Sequence, residues 1–346
     1  MDTAGTSSGG KATGGSGGAR AGSGGSSGSG SSGSGGSSGA TSGWLYTQGN
    51  KIYLSDGQGG GTPWVGRGVN MDDIFFCGYN GTLWMDSPGD TLTTLANNLI
   101  TSWKPTFIRM SLSMASFNTV SWLKNEATYK TPMTDVIHAM GAHPGVYVLV
   151  SLRTDASESG PDEATYVPSN ATDAVYQGLV DTFAHDAFVL FGVSNEPGGN
   201  TVSPDQLKKV MDHAVTTIRA EEDKLGVPHH LVSVQGNNWT SDISFYNSAP
   251  LTQDNVVYEV HGYPPPTNTY TFDKLPVIIG EYGSLESSSS AAFYADLEKK
   301  QIPSLAWDFD PYSNCAPDLL VVDQTTNLTP SDWGKIVKKY LADNAQ

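Results

Sequence analysis

From Trp44 onward, short apolar runs alternate with longer stretches of helical period, a pattern that specifies repeated β-α units with parallel strands. The apolar runs fall at residues 65–70, 106–111, 146–152, 188–194, 231–235, 256–261, 276–280 and 304–308. Helical stretches lie between them, among others at 91–103, 134–140, 171–184 and 204–225. A last helix is expected near 331–341, with Ser331 as its N-cap. Eight alternations over residues 44–346 favour an α/β fold of the closed (β/α)8 (TIM) barrel type over an open doubly wound sheet. No glycine-rich phosphate loop of standard spacing follows the first run, which removes the usual nucleotide site. An opening hairpin, 44–64, turning at Ser55-Asp56-Gly57-Gln58-Gly59, is expected to close the barrel floor.

Composition changes this picture at the N-terminus. Residues 1–43 hold 17 Gly and 13 Ser and no aromatic, Val, Ile, Leu or Phe, so they cannot bury enough apolar surface to offset the entropy of ordering. They read as a disordered tether whose ends lie roughly 35 Å apart by random-coil scaling. Such a segment suits a chain with a further module ahead of it. The formal charge of −16, from 19 Lys plus Arg against 35 Asp plus Glu, argues against nucleic-acid and anionic-membrane partners. No apolar run reaches the length of a membrane span, and none follows Met1 as an export signal would. A secreted monomer acting on a neutral substrate is the expectation, its signal lying outside this sequence.

Candidate chemistry follows from the barrel, because in such folds it gathers at the C-terminal ends of the strands. The fourth run ends in Asn195-Glu196-Pro197 and the seventh in Glu281-Tyr282-Gly283. A carboxylate directly after a buried apolar strand is costly unless it is paired or used. Two of them facing across a barrel mouth suit acetal hydrolysis, one attacking the anomeric carbon and the other protonating the departing oxygen, about 5 Å apart if the mechanism is retaining.

The pattern resembles glycoside hydrolase family 5 over nearly the whole domain. Asn195-Glu196-Pro197 matches the family's acid/base motif, and Glu281 in Gly280-Glu281-Tyr282-Gly283 its nucleophile. Arg109 resembles the arginine after the second strand that supports the nucleophile. His261-Gly262-Tyr263 matches the histidine and tyrosine at the end of the sixth strand, Trp307 the tryptophan at the end of the eighth, and Arg67-Gly68-Val69-Asn70 the first strand. The chain departs from the family after the third strand, where Arg153 stands in place of a histidine.

Physical roles can be set beside each match. Arg109 would hold a permanent planar cation beside Glu281 and favour its charged form. Asn195 would donate to the substrate's 2-hydroxyl, Tyr263 would bond the nucleophile, and His261 would donate to the sugar or orient Glu196. Trp307, with Trp239 as a second platform, would offer aromatic faces to a sugar ring. Arg153 would grip a sugar hydroxyl or pair with Asp155 or a catalytic carboxylate. Cys77 and Cys315 follow the first and last strands, neighbours in a closed barrel, and a disulfide between them is the expectation. Asp72, Asp73, Asp308 and Asp310 form an acidic corner whose simpler reading is solvated loop carboxylates. Neither a metal nor a cofactor is called for.

These readings converge on a retaining, endo-acting hydrolase of a β-1,4-linked polysaccharide, cellulose-like or mixed-linkage glucan. The alternatives are a β-mannanase or another family 5 glycosidase of narrower specificity, which a polysaccharide panel separates, and a non-catalytic carbohydrate-binding barrel, which would bind saccharide without turnover.

Overall fold

In the computed structural model the described residues are 43–74, 88–112, 126–153, 167–263, 273–285, 287–310, 316–321 and 328–345. The segment before Gly43, including almost all of the expected tether, lies outside them, as do Cys77, Cys315 and Asp155.

The chain opens with β1 (Leu45–Gln48), β2 (Lys51–Ser55) and β3 (Gly61–Pro63), an antiparallel sheet in the order β1-β2-β3. One hairpin was expected here and two turns are found. The additional one comes at Gly49, whose φ of 61° lies in the left-handed region that a glycine enters without steric cost. The expected turn joins β2 to β3, where Asp56 Oδ1 accepts the backbone N–H of Gln58 at 2.7 Å and of Gly60 at 3.0 Å.

Eight parallel strands then close the barrel in the order β4-β5-β6-β7-β8-β9-β10-β11. They are β4 (Arg67–Asp72), β5 (Phe107–Leu112), β6 (Tyr147–Leu152), β7 (Val189–Gly192), β8 (Val232–Gln235), β9 (Val256–Gly262), β10 (Val277–Tyr282) and β11 (Ser304–Ala306). The helices are α1 (Pro88–Trp103), α2 (Thr131–Gly141), α3 (Asp173–Phe183), α4 (Pro204–Leu225), α5 (Ser287–Lys300) and α6 (Asp332–Asp343), with a π-helical turn at Glu126–Lys130 before α2. Ser331 caps α6 as expected, its hydroxyl accepting the Gly334 N–H at 3.0 Å.

Strand periodicity sorts the side chains into two cores. Outward residues such as Ile108, Met110, Val148, Val150, Val232 and Ile279 pack with Leu95, Ile137, Leu179, Met211 and Val337 of the helices. Inward residues near the strand starts, Phe107, Tyr147, Leu149, Leu190, Leu231, Val257, Ile278 and Leu305, form a separate apolar plug with Leu45, Ile52 and Trp64 of the opening sheet. That sheet is therefore the barrel's floor. Trp64 stands edge-on to Phe107 and Tyr147, with ring centroids 5.1 and 5.3 Å away.

Above the plug, the inward positions turn polar: Asn70, Arg109, Ser151, Ser233 and Glu259, then Ser111, Gln235, His261 and Glu281. The interior thus grades from apolar at the floor to charged at the mouth, which confines the chemistry to one end. Trp64→Ala would leave a cavity in the plug and is expected to cost about 3–5 kcal/mol of stability, read as a lower urea midpoint at unchanged slope.

Candidate active site

Two local devices aim the carboxylates. On β9 the alternation is regular, so Glu259 and His261 both point inward. On β10, Ile278 faces the floor plug and Ile279 the helices, and strict alternation would send Glu281 outward. The pairing register slips between Ile279 and Glu281, leaving Gly280 as an extra residue. This bulge reverses the alternation, turning Glu281 into the mouth and Tyr282 out against Phe293 and Trp333. Only glycine fits at the bulge, because a Cβ on residue 280 would stand 2.0 Å from Glu259 Oε1. Glu196 is placed differently. The β7 strand ends at Gly192, earlier than expected, and Glu196 sits beyond it with φ 43°, an unfavourable conformation for a residue with a side chain. Its backbone N–H donates to Gln235 Oε1 at 2.6 Å, which holds the turn.

Arg109, fully buried, is the hub of the site. Its Nη1 donates to Glu281 Oε1 at 2.9 Å and to Asn70 Oδ1 at 3.0 Å, its Nη2 to Asn195 Oδ1 at 2.6 Å, and its Nε lies 3.0 Å from Glu259 Oε1. The other oxygen of Glu281 accepts the Tyr263 hydroxyl at 3.0 Å. His261 Nδ1 lies 2.9 Å from Glu196 Oε1 and 3.6 Å from Glu281 Oε1, while its Nε2 lies 2.9 Å from Glu259 Oε1. Glu259 Oε2 accepts the Ser233 hydroxyl at 2.6 Å. One donor atom each from Glu196, His261 and Glu281 falls within 4.8 Å of the others. Those atoms could in principle hold a metal, as could a second group, Asp308, Asp310 and Asp318.

Charge follows from this packing. Burial disfavours a charged His261, yet Glu281, Glu196 and Glu259 outweigh it and raise its pKa to about 9. Burial likewise opposes ionisation of Glu259, but the Arg109 charge and the His261 hydrogen bond bring it down to about 2. Burial of its hydroxyl end and the Glu281 charge keep Tyr263 well above its ordinary value, so it remains a donor. The three carboxyls therefore share two cations.

A family model described as Cellulase (glycosyl hydrolase family 5) matches residues 66–313. The chain belongs to glycoside hydrolase family 5. Among curated relatives, Endoglucanase A of Butyrivibrio fibrisolvens is 21% identical over 228 residues, covering 60% of this chain and 49% of the relative. An endoglucanase of Clostridium saccharobutylicum is 22% identical over 139 residues, covering 38% of this chain and 30% of the relative. The chain thus spans about half or less of the length of these relatives. In fold it is similar to a β-glucanase from Saccharophagus degradans crystallised with cellotetraose, at TM-score 0.67 and 19% identity, covering 88% of this chain and 94% of that one. It is similar also to the catalytic domain of a mannanase from Streptomyces sp. SirexAA-E, at TM-score 0.64 and 18% identity, covering 88% and 93%.

Within the family 5 barrel, most residues singled out from sequence come together. Arg109, Asn195, Glu196, His261, Tyr263 and Glu281 form one hydrogen-bonded group. Both His261 nitrogens face carboxylates, so it orients Glu196 rather than standing free for a sugar. Asn195 turns its oxygen to Arg109, which fixes the amide. Trp239 lies at the mouth, 46% exposed, and Tyr263 is 48% exposed. Trp307 is buried, with the Arg153 guanidinium 5.4 Å above its ring and its carbonyl accepting the Trp333 indole N–H at 3.0 Å. Arg153 also stands 3.9 Å from Asp72 Oδ1. The acidic corner corrects the sequence reading: Asp72, Asp73, Asp308 and Asp310 are buried, not solvated, because β11 closing onto β4 brings their segments under the mouth. Burial, opposed by Arg153, raises Asp72 to about 7, and burial with Asp72 and Asp310 raises Asp308 well above its ordinary value. Sequence reading missed Glu259, Gln235 and Ser233. A strict inward count along 256–261 would have found Glu259, two positions before His261.

Two outcomes test this geometry. Gly280→Ala forces Glu259 or the bulge to move, and should cost about 1–3 kcal/mol of stability together with most of the turnover, whereas equal activity would mean the bulge does not aim Glu281. The raised pKa of His261 contributes stability that is fully present below pH 6.5 and is lost as pH rises through about 9. Urea midpoints should therefore fall across that window by on the order of 3 kcal/mol at most, and His261→Gln should flatten the fall.

Proposed function

We propose that the protein is a retaining, endo-acting hydrolase of β-1,4-linked glucan, cellulose-like or mixed-linkage. The observation that carries the reading is the close approach of Glu196 and Glu281, with facing oxygens within 4.8 Å, which supports the short separation of a retaining pair. Their environments divide the work. Glu281 takes donors from Arg109 and Tyr263 on its two oxygens and is the nucleophile. Glu196 is half-buried, oriented by His261, and carries the proton to the leaving oxygen and then from the attacking water. Asn195, held by Arg109, presents its amide to the sugar's 2-hydroxyl. Trp239 and Tyr263, both open at the mouth, suit a chain that runs through rather than ends there.

A glucan is favoured by the endoglucanases of C. saccharobutylicum and B. fibrisolvens, and by the S. degradans β-glucanase that holds cellotetraose. A mannan is the second reading, from the likeness to the Streptomyces mannanase. A polymer of either kind cannot cross a membrane, so the enzyme acts outside the cell, and the Gly/Ser-rich composition of residues 1–43 suits a spacer. Among the described residues, no helix is long and apolar enough to cross a membrane.

Reducing-sugar release from carboxymethyl cellulose, barley glucan, xyloglucan and mannan decides the substrate, glucans being expected and mannan alone transferring the assignment to the second reading. Glu196→Gln should lower kcat by roughly a hundredfold to ten-thousandfold, and Glu281→Gln should abolish turnover with the melting transition retained. Inverted anomeric configuration in the first product, followed by NMR, would overturn the retaining mechanism.

A further inference from the structure

The buried acidic corner lies outside the hydrogen-bonded group around Glu196 and Glu281. Three backbone segments bring it together. The Phe309 N–H donates to the Asn70 carbonyl at 2.9 Å, joining the segment after β11 to β4. The Asp308 N–H donates to the Pro317 carbonyl at 3.2 Å and the Leu319 N–H to the Asp308 carbonyl at 2.9 Å, joining the Asp318 segment to the same place. One carboxylate oxygen from each of Asp308, Asp310 and Asp318 then falls within 4.8 Å of the others.

A second observation comes from a different strand. Asp72, at the end of β4, is 1% exposed, meets the Asp308 carboxyl in a carboxyl-to-carboxyl hydrogen bond, and finds no other hydrogen-bond donor on either oxygen among the described residues. The same holds for both oxygens of Asp308, also 1% exposed. The neighbouring cation, Arg153, reaches no closer than 3.9 Å to Asp72 and leans over Trp307. Asp73 is engaged separately, accepting the Tyr129 hydroxyl. Buried carboxylate oxygens without donors are costly unless something positive stands among them.

We propose that Asp308, Asp310 and Asp318 bind a calcium ion, with Asp72 standing against Asp308 beside it. The donors are all hard oxygens, with no imidazole or thiolate in the group, which selects calcium or magnesium over zinc or copper. Calcium fits better, since it accepts several carboxylates in irregular geometry whereas magnesium demands a near-ideal octahedron and retains water. Oxygens roughly 2.4 Å from a calcium ion can be no more than roughly 4.8 Å apart, the span found for Asp308, Asp310 and Asp318. The ion would tie the segment after β11 to the Asp318 segment and, through Asp308, brace Asp72 at the end of β4, whose direct pairing with β11 is limited to Ser304↔Arg67, Leu305↔Gly68 and Ala306↔Val69.

The full chain is analysed for metal as purified, stripped with EDTA, and titrated with calcium chloride by calorimetry and thermal melting, with magnesium chloride in parallel. One calcium per chain and a higher melting temperature on re-addition are expected. Asp310→Asn and Asp318→Asn should each weaken binding by roughly tenfold or more, since even groups outside a ligand shell commonly contribute that much. No bound calcium and no melting shift would overturn the site, as would binding unchanged in both variants, which would mark diffuse attraction to an acidic surface. A rise in melting temperature in Asp308→Asn without calcium binding in the parent chain would identify the corner instead as protonated carboxyls.

Discussion

Everything at the barrel mouth depends on one buried guanidinium. An unpaired cation inside a barrel would cost several kcal/mol even after relaxation, so Arg109 is tolerable only because Glu259 and Glu281 stand against it. Its planar fork converts that electrostatic requirement into geometry. The donors run in fixed directions to β4 through Asn70, to β9 through Glu259, to β10 through Glu281, and to the turn after β7 through Asn195. Four parts of a closed sheet are thereby indexed to one rigid plane. Asn70 adds a return bond to the Gly280 carbonyl at 3.0 Å, so the bulge that aims Glu281 is itself held by the hub's partner.

Glu259 is the less visible half of this arrangement. It faces both Arg109 and His261 from below, and its pKa, brought down to about 2, keeps it charged near neutral pH. With that anion fixed, His261 can carry a proton and still be buried. A charged His261 between Glu196 and Glu281 lets two carboxyls approach each other that would otherwise repel. The same proton ties the stability of the mouth to its chemistry, because losing it removes the support of both.

Much of this was legible in the sequence, and the failures have physical reasons. Parallel strands buried on both faces read as apolar runs, so the barrel and the strand-end glutamates could be placed directly. Tyr263 on Glu281 came from the resemblance to family 5, and the floor packing of the opening sheet from the strand order. The bulge at Gly280 was not legible, since a register slip belongs to two strands and not to one. Glu259 was overlooked because attention to strand ends excluded strand interiors, where a carboxylate between Tyr258 and Val260 is the greater anomaly. The acidic corner was misjudged for a third reason. Burial of a loop carboxylate depends on which distant segments close over it, here β4, the residues after β11 and the Asp318 segment, and no local pattern records that. Sugar preference stayed open because Arg153, the departure from the family, faces Trp307 and Asp72, and neither contact names a hydroxyl.

Glu196 is held by means that differ from those that hold Glu281. Glu281 is built into a strand, but Glu196 lies on a turn, where rotamer and backbone freedom would blur a proton transfer that needs placement within about half an ångström. The structure answers with backbone constraint. The Glu196 carbonyl accepts the Gly199 N–H, the Gly199 carbonyl accepts the Trp239 N–H, and the Thr240 carbonyl accepts the N–H of His261. Gln235 Oε1 takes both the Glu196 N–H and the Thr240 hydroxyl. Asn238, Trp239 and Thr240 all adopt left-handed φ, at 52°, 49° and 59°, a strained run that persists because these bonds fix it at both ends. The strained turn thus serves two groups at once: it clamps the loop that carries Glu196, and it forces the Trp239 ring out to the mouth on the same side. Under the proposed mechanism, a platform and a proton donor held on one turn would keep a bound sugar in register with the oxygen to be protonated.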